Sequence, residues 1–148
     1  MGWKTDWLYG LIFAEIRRIW DRARRDAARS PDLMGSAPDS FVIRQFAAGD
    51  VACSHCLPPL QRQWIYRGDD VFVPFTADAD TETDVEPVRR GAFYATGTVA
   101  FHIAADRKAI IFVYGLGPRY GQAWAYRVVG QGQRAHLAEA EGCTGWIA

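Results

Sequence analysis

The N-terminal part of the chain carries apolar residues at helical spacing. They recur three or four positions apart from Leu8 to Ala27, and no proline occurs before Pro31. Aromatic residues at further positions widen the apolar side to more than half of the helical circumference, which is typical of a helix that packs against a sheet. The pattern therefore predicts a long N-terminal helix over residues 3–29.

The pattern changes after residues 30–40, a connection rich in proline, glycine, serine and aspartate. Apolar and polar positions then alternate, as they do in strands. A strand is predicted over residues 41–46, followed by a hairpin with strands at 63–67 and 71–75 that turns around Gly68. The sheet is expected to begin at the first of these strands.

Residues 96–140 are predicted to form a four-strand antiparallel meander. Its alternating segments cover residues 96–105, 109–116, 122–129 and 133–140, separated by short polar or glycine-rich turns. Cross-strand neighbours share one face of a sheet, so the turn lengths determine the register. A two-residue turn and a five-residue loop both place large apolar residues opposite one another: Ile103 with Ile110, Phe101 with Phe112 and Val99 with Tyr114 in the first hairpin, and Tyr114 with Trp124, Phe112 with Tyr126 and Ile110 with Val128 in the second.

The other face of the predicted meander carries small residues: Ala100, Ala104, Gly115, Ala123 and Ala125. One register also places His102, Arg127 and His136 in a single row on this face, with Ile111 between them. Two interpretations follow from this pattern. In the first, the N-terminal helix docks closely on the small residues; in the second, they line a pocket in which the polar groups converge.

The polar groups of this face suggest two kinds of chemistry. His102 and His136 are of a type that titrates near neutrality, and they are the candidates for a general acid and base. Arg127 is the candidate for holding an anionic group, together with His102. Arg119 and Tyr120, at the tip of the glycine-rich loop, are candidates for contact with a ligand or partner. No carboxylate can be assigned to orient a histidine, so the sequence favours binding over catalysis.

Cys53 and Cys56 have the spacing of one half of a zinc site. No second pair of cysteines or histidines has ligand spacing, so we predict no metal and no cofactor, with these two thiols as weak metal-ligand candidates. The chain has three cysteines and no secretory signal pattern. This combination favours free thiols in a reducing compartment and predicts a cytoplasmic location.

Composition narrows the class of protein and of partner. The chain has 148 residues, of which 49% are hydrophobic and 23% charged, as is typical of one folded domain. Lys+Arg and Asp+Glu both total 17, and this balance gives no reason to expect a nucleic-acid partner. Arginines crowd the end of the first helix and acidic residues crowd positions 78–86, which we interpret as two solvated patches.

These patterns predict an α+β fold in which the long N-terminal helix packs on a curved antiparallel sheet that ends in the meander. The single domain covers residues 1–148, with the linker at 30–40, the sheet at 41–140 and a C-terminal tail at 141–148.

The favoured function is that of a non-catalytic binding or regulatory protein that contacts a protein partner or a small ligand through the sheet face or the hairpin loops. Self-association into a homo-oligomer is left open. One alternative is a small acid–base enzyme with a helix–sheet pocket that contains His102, Arg127 and His136. The other is a membrane-surface protein that uses the aromatic residues of the N-terminal helix, although a helix that covers a sheet explains the same residues.

Overall fold

The computed structural model describes residues 2–29, 39–46, 60–75, 97–115, 120–139 and 144–147. The N-terminal helix, α1, spans Trp7–Arg29 and follows a short 3₁₀ helix at Trp3–Thr5. The described part of the chain then forms eight strands: β1 Phe41–Phe46, β2 Leu60–Tyr66, β3 Phe72–Phe75, β4 Thr98–Ile103, β5 Ala109–Gly115, β6 Tyr120–Val129, β7 His136–Glu139 and β8 Thr144–Ile147.

The strands form one sheet in the order β3-β2-β1-β4-β5-β6-β7, and β8 also pairs with β6. The α+β class, the long helix and the meander from β4 to β7 are confirmed. The sheet is mostly antiparallel, as predicted; the exception lies at its centre, where β1 and β4 run parallel. Since β2 occupies one edge of β1, the meander adds to the other edge through β4. The predicted curvature of the sheet stays a prediction.

The start of α1 is set by Asp6. The Leu8 backbone N–H donates a hydrogen bond to the Asp6 carboxylate at 3.0 Å, which satisfies one of the donors left free at a helix N-terminus. The backbone of Asp6 itself is extended. The predicted helix over residues 3–29 is therefore divided into a 3₁₀ turn and an α-helix that begins at Trp7.

The C-terminal end of the sheet differs from the prediction in two places. A 3₁₀ helix at Gly132–Arg134 delays the last predicted strand, which begins at His136. The predicted C-terminal tail contains β8, which pairs with the first residues of β6, whereas β7 pairs with its last residues. The long strand β6 thus offers one edge to two short strands in succession.

The register of the first meander hairpin is confirmed, with Phe101 opposite Phe112. The second hairpin is displaced by two residues, because the closing pair is Gly115 with Gly121. Phe112 consequently lies opposite Trp124. Side chains alternate with a period of two along a strand, so this displacement moves residues between rows and keeps every one on its predicted face.

The helix packs on the bulky face of the sheet. Leu8, Ile12, Ile16 and Ile19 are 0% exposed and share one core cluster with the large residues of β1, β2, β4, β5 and β6. The interpretation in which α1 docks on the small-residue face is therefore wrong. Burying one large apolar side chain contributes about 1.5–3 kcal/mol, so the helix covers the face with the greater apolar area.

The small-residue face is nevertheless buried at its centre. Ala100 is 0% and Val113 is 1% exposed, and they form a second, smaller cluster with Phe46 and Ala123. The sheet therefore separates two unequal apolar layers, and α1 belongs to the larger one.

Candidate functional site

The predicted row of polar residues across the meander is not formed. His102 lies opposite Ile111, whereas Arg127 lies opposite Ala109 on β5. His136 pairs with Val129, further along β6. The displaced second hairpin moves Arg127 out of the row of His102, so the three polar residues occupy three different rows of the same face.

These residues also lie on the face that α1 does not cover, so they do not line a helix–sheet pocket. His102 is half-buried, and its Nδ1 atom lies 3.0 Å from the backbone oxygen of Phe46. A carbonyl oxygen only accepts, so Nδ1 donates in this hydrogen bond and Nε2 is left as the acceptor in neutral histidine. Among the described residues Phe46 is the one hydrogen-bond partner of the His102 ring. Arg127 and His136 are exposed.

The remaining predicted residues fall largely outside the described part of the chain. Arg119, Cys53 and Cys56 lie in segments that it does not include, and of Tyr120 only the backbone is described, as the first residue of β6. Within the described ranges, His, Cys, Asp and Glu do not form a group of three or more that could hold a metal ion.

A different polar site lies along the middle of α1. Glu15, Arg18, Asp21, Arg22 and Arg25 line a cavity of about 410 Å³, which we call the arginine cavity. These residues recur three or four positions apart, so they project from one side of the helix. That side faces β6, because Tyr126 and Trp124 of this strand contact Glu15 and Arg22.

Glu15 is a buried carboxylate with two partners. The Tyr126 hydroxyl donates to Oε1 at 2.7 Å, and the Arg18 guanidinium donates to Oε2 at 2.7 Å. A buried charge requires such compensation. Burial, the hydrogen bond to Glu15 and the negative charge of Glu15 together raise the pKa of Tyr126 to about 12. Glu15 and Tyr126 therefore form a stable acceptor–donor pair that ties α1 to β6.

Arg22 differs from Arg18 because it forms no ion pair with any described residue. Its Cζ atom lies 5.5 Å from the centre of the Trp124 ring, a cation–π contact. Its Nε atom is buried and has no hydrogen-bond acceptor among the described residues. Arg25 is exposed on the next turn of the helix. Glu15 neutralises Arg18. Arg22 and Arg25 then contribute two positive charges against the one negative charge of Asp21, so the lining of the cavity carries a net positive charge.

From the sequence alone, these arginines are interpreted as a solvated patch. One signal in the sequence does point to the site: Glu15 lies on the apolar side of the helix, in the series Leu8, Ile12, Glu15 and Ile19. A carboxylate at a buried helical position needs a partner, but the partner is Tyr126, which is 111 residues away along the chain.

Two other cavities adjoin the N-terminal end of α1. One, of about 460 Å³, is lined by Asp6, Tyr9, Gln61, Arg62 and Arg107. Its polar groups satisfy one another, because Arg107 contacts Asp6 at 2.6 Å and Arg62 donates to the Tyr9 hydroxyl at 3.2 Å. That hydroxyl in turn donates to the buried side chain of Gln45 at 2.9 Å.

The other, of about 440 Å³, lies beside Trp7, whose ring is covered by the guanidinium of Arg107. Its remaining lining comes from the β4–β5 turn and from the end of β6. Among these three cavities, the arginine cavity is the one lined by an arginine whose buried Nε–H has no acceptor among the described residues.

Comparison with known proteins identifies no relative: no protein-family model, no curated protein and no solved structure matches this chain. Among the described residues, α1 is not long and apolar enough to cross a membrane. Its apolar side is turned into the core, as the full burial of Ile12 and Ile16 shows.

Proposed function

We propose that this protein is a non-catalytic binding protein that holds a small ligand by an anionic group in the arginine cavity. The observation that carries the proposal is the state of Arg22. Its guanidinium is fixed above the Trp124 ring, forms no ion pair with the described residues and keeps a buried donor without an acceptor. A charged group of this kind is stabilised when an anion reaches it.

The geometry around Glu15 supports binding over acid–base catalysis. Both oxygens of this carboxylate already accept hydrogen bonds, from Tyr126 and from Arg18. Each of these oxygens keeps an acceptor position, but Glu15 is only 5% exposed, and a general base has to be reached by the substrate proton. Glu15 instead holds the cavity wall in place, so Arg22 and Arg25 are presented to the ligand by a rigid support.

The other hypotheses have less support from the described residues. His102 has no carboxylate partner among the described residues, and Arg127 lies in the next row of the sheet instead of in the same row. Both observations weaken the acid–base hypothesis. The membrane-surface hypothesis requires the apolar side of α1, which is buried against the sheet. A protein partner that binds through the sheet face or the hairpin loops stays a prediction.

Isothermal titration calorimetry with sodium acetate and with inorganic phosphate, at constant ionic strength, tests the proposal. We expect saturable binding of at least one probe to the unmodified protein. In Arg22→Gln the dissociation constant should rise about tenfold or more, because a hydrogen bond to a charged group contributes about 1.5–3 kcal/mol.

The matched control is Arg67→Gln, which removes the same charge from an exposed position after β2. This variant should bind like the unmodified protein. Equal affinity of the Arg22→Gln protein, or no saturable binding of either probe to the unmodified protein, would refute the proposed function.

A further inference from the structure

Asp21 is an unpaired carboxylate in the lining of the arginine cavity. It is exposed, and its side chain forms no ion pair with any described residue. Arg18 and Arg25 lie three and four positions away, a spacing at which oppositely charged side chains of a helix can meet. Arg18 pairs with Glu15 instead, and Arg25 forms no ion pair with the described residues either. Together with Arg22, the cavity therefore holds one acid and two arginines that do not neutralise one another.

These three charges follow one another around α1. Each residue turns an α-helix by about 100°, so Arg25 stands about 60° from Arg22, and Asp21 about 40° further in the same direction. Arg22 marks the end next to the sheet, because its Cζ atom lies 5.5 Å from the centre of the Trp124 ring. Arg22 is half-buried, whereas Arg25 and Asp21 are exposed. The cavity thus has a cationic inner part and an anionic outer edge.

The two other cavities are arranged differently. In the cavity beside Tyr9, Asp6 lies 2.6 Å from the guanidinium of Arg107, so these two charges compensate each other without a ligand. In the cavity beside Trp7, the carboxylate of Asp106 accepts a hydrogen bond from a backbone N–H at 2.9 Å. Among the three, the arginine cavity is the one whose lining includes an acidic side chain with no partner among the described residues.

We propose that the ligand of the arginine cavity is a small zwitterion, a molecule with an anionic group and an ammonium group, as in an amino acid. This inference rests on the proposed function and names the chemical class of its ligand. The anionic group lies between Arg22 and Arg25, and the ammonium group binds the carboxylate of Asp21. A guanidinium and an ammonium only donate hydrogen bonds, whereas a carboxylate only accepts them, so the two ends of the ligand cannot exchange places.

Asp21 distinguishes this class of ligand from a simple anion. Its negative charge repels a ligand that carries a carboxylate alone, and it attracts a ligand that carries an ammonium group as well. Water screens charges at an exposed position, so we expect Asp21 to change a dissociation constant by about two- to fivefold. The change should have opposite signs for the two kinds of ligand.

Isothermal titration calorimetry at neutral pH and constant ionic strength tests the inference. Sodium acetate is the simple anion, and glycine, β-alanine and 4-aminobutyrate are zwitterions that carry the same two charges at different separations. At least one zwitterion should bind the unmodified protein about two- to fivefold more tightly than acetate does. In Asp21→Asn, the dissociation constant of that zwitterion should rise by about the same factor, and that of acetate should fall. Arg22→Gln should weaken the binding of both.

The matched control is Asp69→Asn, between β2 and β3 and at the opposite edge of the sheet from β6. The Asp69 carboxylate accepts a hydrogen bond from the Val71 backbone N–H, and an asparagine oxygen can accept it too. This variant should therefore bind all four probes as the unmodified protein does.

Two results separate this inference from the proposed function. If acetate binding depends on Arg22, but no zwitterion binds more tightly than acetate or Asp21→Asn leaves the affinity for the zwitterions unchanged, the proposed function stands and the zwitterion is refuted. If the unmodified protein binds neither acetate nor phosphate, the proposed function fails, and this inference fails with it.

Discussion

The hydrogen bond between Tyr126 and Glu15 should be the main polar link between α1 and the sheet. We predict that Tyr126→Phe and Glu15→Ala are strongly coupled in a double-mutant cycle. The hydroxyl and the carboxylate are 2.7 Å apart, and Glu15 is only 5% exposed. A hydrogen bond to a buried charge contributes about 1.5–3 kcal/mol, so the coupling energy should be at least about 1.5 kcal/mol.

The second partner of Glu15 should contribute much less. Arg18 also lies 2.7 Å from the carboxylate, but its side chain is 72% exposed. Exposed ion pairs contribute about 0–1 kcal/mol, because water screens the attraction and the long side chain loses freedom. Arg18→Ala should therefore lower the free energy of unfolding by less than Tyr126→Phe does.

Urea unfolding of the single and double variants measures these energies. The control cycle combines Glu15→Ala with Tyr66→Phe, a buried tyrosine at the other end of the sheet, and should be additive. A coupling energy below about 0.5 kcal/mol between Glu15 and Tyr126 would refute the reasoning, since independent substitutions agree with additivity to that level. A larger loss for Arg18→Ala than for Tyr126→Phe would refute it as well.

Four further predictions concern the fold. Burial, together with the hydrogen bond to Glu15, raises the pKa of Tyr126 from 10.0 to about 12. The free energy of unfolding should therefore fall as the pH rises from about 10 to about 12, and it should fall less steeply in Tyr126→Phe. Denaturant titration at each pH measures both slopes. Ile16→Ala should cost about 2–5 kcal/mol in urea unfolding, since Ile16 is 0% exposed under α1. Gly68→Ala should lower the Tm, because Gly68 has φ +82° and an added Cβ would lie 2.8 Å from Trp20. Asp6→Ala should lower the free energy of unfolding by about 0.5–2 kcal/mol, because it removes the cap of α1. Burial opposes the charged form of Asp6, but its hydrogen bonds outweigh this effect and lower its pKa from 3.8. In acid unfolding, the stabilisation by Asp6 should therefore disappear as the pH falls below 3.8.

The meander could be predicted in part because its first turn is short. The turn predicted at Asp106 and Arg107 has only two residues, which leaves little choice of register once the bulky side chains of Ile103 and Ile110 are paired. The glycine-rich loop between β5 and β6 can be closed by any of several residue pairs. Each of these pairs leaves the same side chains on the same face of the sheet, so the pattern does not choose between them. Alternation therefore predicts the face of Trp124 correctly but not its row. The same displacement places Arg127 in the row next to that of His102 instead of in the same row.

The position of α1 depends on packing that no local pattern expresses. Both faces of the meander are apolar, one with large and one with small side chains, and either is compatible with a helix. The stacked contact of Phe13 on Phe72, with 4.2 Å between ring centroids, joins residues from distant parts of the chain. Tertiary contacts of this kind select the bulky face.

The candidate site also depends on tertiary contacts, so it could not be predicted from the sequence. Arg18, Arg22 and Arg25 have the composition of a solvated helix surface, and only the fold places Trp124 beneath Arg22. The strand β8 was missed because four residues are too few to show alternation.

The most direct test of the account is a proton–nitrogen correlation NMR titration with sodium acetate, against sodium chloride at equal ionic strength. The Nε–H of Arg22 and the indole N–H of Trp124 beneath it both give observable signals, so the titration measures binding directly at the proposed position. We predict saturable acetate-specific shifts of these two signals, with His102 and Arg127 unaffected. Saturable shifts confined to the face of His102 and Arg127, or no acetate-specific shift at Trp124 and Arg22, would contradict the account.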